Sequence, residues 1–195
     1  MPPRKHQELM TSAVEQDGEG QRALISGDAA GARAAFTRAA ELYRESWEVA
    51  HPTAYGRLVG MLKAAVLAGG GSAEARYARD ALADAESESA TASYARALAA
   101  LILGDDDDAD VWARRMGAGT EAFERAGAAI AALAERDRDR YEAALRAIVA
   151  DFEARAEHLT GVAIADTAAM LQALAARRGI AVAIDSPVLP SAPFP

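Results

Sequence analysis

Cysteine is absent from the 195-residue chain. That excludes disulfides, thiolate zinc sites and a cysteine nucleophile, and it fits a reducing compartment. Proline is confined to the ends and one junction. The seven prolines stand at 2, 3, 52, 187, 190, 193 and 195, so the 134 residues from Thr53 to Ser186 contain none. A proline in a helix interior costs about 3 kcal/mol, and its absence leaves helix permitted over that whole stretch. Lysine is nearly missing: Lys5 and Lys63 stand against 19 arginines, a ratio that reads as GC-rich codon usage rather than phosphate chemistry. No apolar run approaches the ~20 residues of a membrane-spanning helix. The opening Met1-Pro2-Pro3-Arg4-Lys5-His6-Gln7-Glu8 lacks the apolar region of a secretory signal. These absences lead to the expectation of a soluble, cytoplasmic protein with one main domain.

Alanine is what the chain has in excess, at 52 residues, so the hydrophobic fraction of 51% overstates the bulky apolar material. Many core contacts must then involve a methyl group, which suits closely packed helices. The formal charge of −8 divides into −2 over residues 1–104 and −6 over residues 105–195. Neither part carries the basic footprint of a nucleic-acid binder. A protein or peptide partner is expected, of basic character, with no nucleic acid and no membrane.

The remaining signal is a repeated helix, turn, helix rhythm. Helical hairpins are expected over about 7–50, 53–86, 91–116 and 120–158, with a closing helix over 163–178. Residues 1–6 read as a disordered tail and 180–195 as an extended, proline-rich tail packed along the last helices. Gly27-Asp28 supplies the first turn, glycine for a left-handed C′ position and aspartate for the next N-cap. Gly18 and Gly20 weaken the first helix, each by up to about 1 kcal/mol. Gly69-Gly70-Gly71 breaks the second pair, with Ser72 as N-cap, and Gly104-Asp105 hinges the third. Tyr141, Leu145, Ile148, Phe152 and Leu159 form an apolar stripe along the fourth pair. Arg177 and Arg178 fall where the dipole of the closing helix favours cations.

Gly20, Gly27-Asp28, Ala32, Phe36 and Ala39 have the spacing of the small, turn, small, aromatic and small positions of a tetratricopeptide repeat, and residues 16–44 resemble that motif. Departures are Arg44 where the motif has proline and Ala23 where it has an aromatic. At Gly104-Asp105 the turn recurs with Ala109, but Ala113 replaces the aromatic, and no strict 34-residue period holds. The resemblance implies an all-α fold, a right-handed α-α superhelix of such hairpins, whose concave face takes a peptide or protein. A second likeness lies in Gly161-Val162-Ala163-Ile164-Ala165-Asp166-Thr167 and in Arg178 through Pro190. The stretch is similar to the ending of helical immunity proteins of bacterial polymorphic-toxin systems, which would imply neutralisation of a toxin.

Candidate chemistry is thin. Asp105 to Asp108 with Asp110 lack the spacing, central glycine and distal glutamate of an EF-hand; they read as a helix start, with a divalent site as the alternative. Gly69-Gly70-Gly71-Ser72 lacks the Gly-Lys-Ser/Thr ending of a phosphate-binding loop and reads as a linker. His6, His51 and His158 sit in no ligand motif. Trp47, Trp112, Tyr43, Tyr55, Tyr77 and Tyr94 read as inter-helix packing, with a peptide groove as the alternative. No catalytic, cofactor-binding or metal residue is assigned. The reading is a non-enzymatic protein-interaction scaffold, with an immunity-like protein as the runner-up. A small-molecule sensor is the third reading, and it predicts a closed cavity with converging polar groups where the scaffold predicts an open groove. Self-association through hairpin faces is left open.

Overall fold

The computed structural model describes residues 5–85 and 89–190. Nine α-helices account for the architecture of these residues, with no strand among them. They are α1 (Lys5–Ser26), α2 (Ala29–Glu48), α3 (Gly56–Leu67), α4 (Ser72–Ala81), α5 (Ala90–Leu103), α6 (Asp106–Arg115), α7 (Glu121–Ala134), α8 (Arg138–Glu153) and α9 (Asp166–Arg177). None is long and apolar enough to cross a membrane, among the described residues.

Local sequence explains most of the boundaries. Asp28 caps α2 by accepting from the Gly31 N–H at 2.9 Å, and Asp137 caps α8 through the Arg140 N–H at 3.0 Å. Gly27 and Gly104 take φ of 79° and 81°, the left-handed conformation that ends a helix at low cost. Several expected boundaries move. Lys5 and His6 belong to α1 rather than to a tail, because the His6 carbonyl accepts the Ser46 hydroxyl at 2.7 Å and its ring meets Arg57 at 3.2 Å. Residues 1–4, 86–88 and 191–195, which include parts of both expected tails and the expected end of the fourth helix at 86, lie outside the described residues. Gly71, not Ser72, precedes α4 at the N-cap, with φ of 118°. The second helix of the fourth pair, expected to reach 158, ends at Glu153, and Leu159 leaves the apolar stripe to stand 80% exposed.

Neighbouring helices pack in chain order: α1 on α2, α5 on α6 and α7 on α8 form antiparallel pairs. The 53–86 pair departs from that scheme. The short α4 buries only Ala75 and Ala78 of its own residues and leans more on α5 than on α3. Across pairs, α3 meets α5 and α5 meets α7. Glycines permit the closest approaches. A Cβ on Gly20 would lie 2.8 Å from the ring of Phe36, and one on Gly60 2.7 Å from the ring of Tyr43. Phe36, Ala32 and Ala39 are buried at that crossing, so Gly20 is a contact position of α1 rather than only a weak point.

The last helix sits against earlier ones. α9 contacts α3, α7 and α8, burying Met170, Leu171 and Leu174. Arg177 and Arg178 serve other helices than their own. Arg177 donates to the Gly70 carbonyl (2.9 Å) and the Val66 carbonyl (3.3 Å), and Arg178 to the Leu101 carbonyl (2.5 Å) and Asp106 (3.0 Å). Both thus reach carbonyls at or just past the C-terminal ends of α3 and α5, where the Val66 and Leu101 carbonyls also accept the Gly69 and Gly104 N–H groups. The tail as far as Pro190 is extended and packed along α9. The Ala165 N–H donates to the Val188 carbonyl at 2.7 Å, the Gln172 side chain bonds the Val182 carbonyl, and Val182 and Val188 are buried.

Candidate functional site

Between α1, α3, α5, α7, α8 and the start of α9 lies a cavity of about 320 Å³. That volume falls in the range of small-molecule sites. Met10, Val59, Leu67, Ile148, Val162 and Ile164 give it apolar walls. Residues 154–165, which carry no helix, run along one side. They are fixed by a bond between Thr160 and Gln21 and by the His158 ring stacked on Phe152 with centroids 6.1 Å apart. Gly18 lets this segment pass: a Cβ there would lie 3.3 Å from the Thr160 carbonyl oxygen.

At one end stands Lys63 of α3. Its ammonium donates to Asp166 at 2.5 Å and to the Thr167 hydroxyl at 3.0 Å, at the first turn of α9. The two charged side chains are 18% and 26% exposed, and both line the cavity. Burial disfavours the charged form of Lys63, but the negative charge of Asp166 and its other neighbours outweighs that, so its pKa lies above the ordinary lysine value. Asp17 of α1 lines the same end and accepts the Tyr43 hydroxyl at 2.7 Å. Burial pushes its carboxyl up to about 6, against the lowering pull of Tyr43 and Lys63 and with a further rise from Asp166. The Tyr94 hydroxyl is buried beside Thr167 without a hydrogen bond of regular geometry; its ring meets Phe123 edge-on with centroids 6.0 Å apart. Burial raises its pKa too.

A second charged group lines the cavity from α7 and α8. Asp151 accepts from Arg125 at 2.7 Å and from Arg155 at 2.5 Å. The Arg155 guanidinium lies 3.7 Å from the Phe152 ring centroid, a cation–π geometry. Arg125 also reaches Glu121 at 3.2 Å, but that carboxylate is 87% exposed and outside the cavity lining.

Of the residues singled out from sequence, Tyr43, Tyr94 and His158 meet at this cavity. The others lie elsewhere. Trp47 packs on Tyr55 with centroids 5.9 Å apart, the Tyr77 hydroxyl donates to Glu48 at 3.2 Å, and Trp112 lies between Arg96 and Arg115. His51 bonds Thr53 at 2.8 Å. The acidic run begins α6: Asp105 is the N-cap residue but makes no side-chain capping bond, and Asp106 is engaged by Arg178. Gly69 to Gly71 join α3 to α4. Sequence reasoning missed Asp17, Lys63, Arg125, Asp151, Arg155 and Asp166. One signal was readable: Lys63 is the single charged residue between Leu58 and Leu67, and a lysine in an arginine-dominated chain.

Comparison with known proteins adds no name to this geometry: no protein-family model matches the chain, and no curated protein or solved structure is similar to it.

Proposed function

We propose that this chain is a non-enzymatic helical protein that binds a small molecule in the cavity between α1, α3, α5, α7, α8 and α9. One observation carries the reading: a roomy cavity into which charged and polar groups from different helices converge with bonding capacity unused. Tyr94 is the sharpest case, because a buried hydroxyl without a partner costs about 1–3 kcal/mol. Asp17 adds to it, since only one of its oxygens accepts a hydrogen bond among the described residues. The scaffold reading of the helical hairpins calls for an open inner face. Here α9 lies on α3 and α7, members of the row of helices that such a face would use.

The test is a thermal-shift screen of the full chain against a library of small polar metabolites. A ligand at a hundredfold excess over its Kd stabilises by about 2.7 kcal/mol, which raises Tm by roughly 5 °C or more at this length. At least one compound is expected to do so, with the shift lost in Asp17→Asn. A library without a stabilising compound at millimolar concentration would sink the reading.

A further inference from the structure

The cavity's charges are not evenly mixed, and their arrangement specifies the kind of molecule it takes. At the α1–α3–α9 end, one ammonium (Lys63) stands with two carboxylates (Asp17 and Asp166). At the α7–α8 end, one carboxylate (Asp151) stands between two guanidinium groups (Arg125 and Arg155). Among the lining residues alone, the first group therefore sums to one negative charge and the second to one positive charge, Glu121 pairing with Arg125 from outside the cavity. A ligand whose charges complement those of the lining is favoured over one that leaves either group unmatched.

The hydrogen-bonding capacity follows the same division. At the negative end, Asp17 has an oxygen without a donor, and the Tyr94 hydroxyl is buried and unpaired. These are acceptors for an ammonium. At the positive end, Arg125 and Arg155 each give one N–H-bearing nitrogen to Asp151 at 2.5–2.7 Å, and Arg155 a second at 3.1 Å. A guanidinium has five N–H donors, so each arginine keeps donors for a second carboxylate. Phe123 and Phe152 add apolar surface to the aliphatic walls of the same cavity.

We propose that the ligand is a small zwitterion, an amino acid or aminoalkanoate, with its ammonium at Asp17 and Tyr94 and its carboxylate at Arg125 and Arg155. This deepens the small-molecule reading and rests on it. A simple amine would leave the arginine end unbalanced. A simple carboxylate would leave the Asp17 end unbalanced. A zwitterion matches both ends without altering the net charge of the complex.

Isothermal titration calorimetry on the full chain tests this. The probes are the twenty L-α-amino acids, 4-aminobutanoate and 6-aminohexanoate, which vary the distance between the two charges. The best binder is then compared with its methyl ester, which keeps only the cation, and its N-acetyl derivative, which keeps only the anion. Losing one partner of a desolvated charge pair commonly weakens binding at least about tenfold. The expected result is one or more zwitterions bound, with both derivatives at least tenfold weaker. Asp17→Asn should abolish the preference over the N-acetyl derivative, and Arg155→Gln the preference over the ester. Circular dichroism reports that each variant is folded, and Glu41→Gln, exposed on α2 and outside the cavity, should leave both preferences intact.

An ester that binds as tightly as the parent acid, or an N-acetyl derivative that binds as tightly as the parent amine, overturns the proposal. So does a panel in which no zwitterion binds while a neutral or singly charged compound from the metabolite screen does. In that last case the small-molecule reading stands and only the ligand class fails. If neither the panel nor the screen yields a binder, both fail together.

Discussion

Asp17 is held in a state its chemistry resists. Its carboxyl sits at about 6, whereas an unfolded aspartate titrates near 3.9. Between roughly pH 4 and pH 6 the folded chain therefore keeps a proton that the unfolded chain releases. Raising the pH through that window destabilises the native state, and above it the cost is on the order of 3 kcal/mol. Asp17→Asn preserves the shape and leaves an oxygen to accept the Tyr43 hydroxyl. Urea denaturation from pH 4 to pH 8 should show the variant more stable than the parent above pH 6, with the difference closing toward pH 4. A pH-independent difference would show that burial of the charge is not its origin. Tyr94→Phe should behave in a related way. It removes a buried hydroxyl that has no partner, so the thermal midpoint should stay or rise by the equivalent of up to about 1 kcal/mol. A loss of more than that would mean the hydroxyl has a structural partner. Residues that weaken the fold while standing in a cavity are the kind retained for binding rather than stability.

At the scale of elements, magnitudes decide the outcome where α1 crosses α2. Alanine in place of a helical glycine gains about 1 kcal/mol in propensity. At Gly20 the new Cβ would fall 2.8 Å from the Phe36 ring, which is fully buried, and overpacking a tight core costs about 1–3 kcal/mol. Gly20→Ala is expected to lower stability by up to about 2 kcal/mol net. Gly56→Ala, with nothing within 4 Å of its Cβ, should raise it by roughly 0.4–1 kcal/mol. Chemical denaturation of the two variants side by side checks the contrast; equal effects would mean the crossing has room to relax.

The same contrast explains what could be read from the residues in order. Turn chemistry and missing prolines act within a few residues, so the Gly27-Asp28 and Gly104-Asp105 breaks and the positions of all nine helices were legible. The end of α8 was not, because Leu159 continues the apolar spacing, whereas the contact of Thr160 with Gln21 and the His158 ring on Phe152 hold that segment off the helix axis. The cavity was illegible for a similar reason. Asp17, Lys63 and Asp166 are 46 and 103 residues apart along the chain, in helices whose mutual placement no local spacing specifies.

For the whole molecule, the decisive question is whether the helices behave as a stack or as a closed unit. In a stack of repeats each hairpin contacts only its neighbours, and stability is a sum of local terms. Here α9 reaches back to α3, and Arg177 and Arg178 bind carbonyls at the ends of α3 and α5. A lesion in α9 should therefore be felt through α3 in α2, which packs on it. Leu171 is fully buried in α9, and removing such a side chain costs about 2–5 kcal/mol. Trp47 in α2 and Trp112 in α6 are the two tryptophans of the chain. Replacing either one by phenylalanine leaves a fluorescence reporter in α2 or in α6. Leu171→Ala is expected to shift both reporters' urea midpoints by the same amount, in one coincident transition. If the Trp47 transition stays at the parental midpoint while Trp112 moves, unfolding spreads from the C-terminal end and α9 does not couple the two halves. Coincident shifts would instead mean that the cavity comes apart only when the whole molecule does, so that a ligand seated between α1 and α9 stabilises every helix at once.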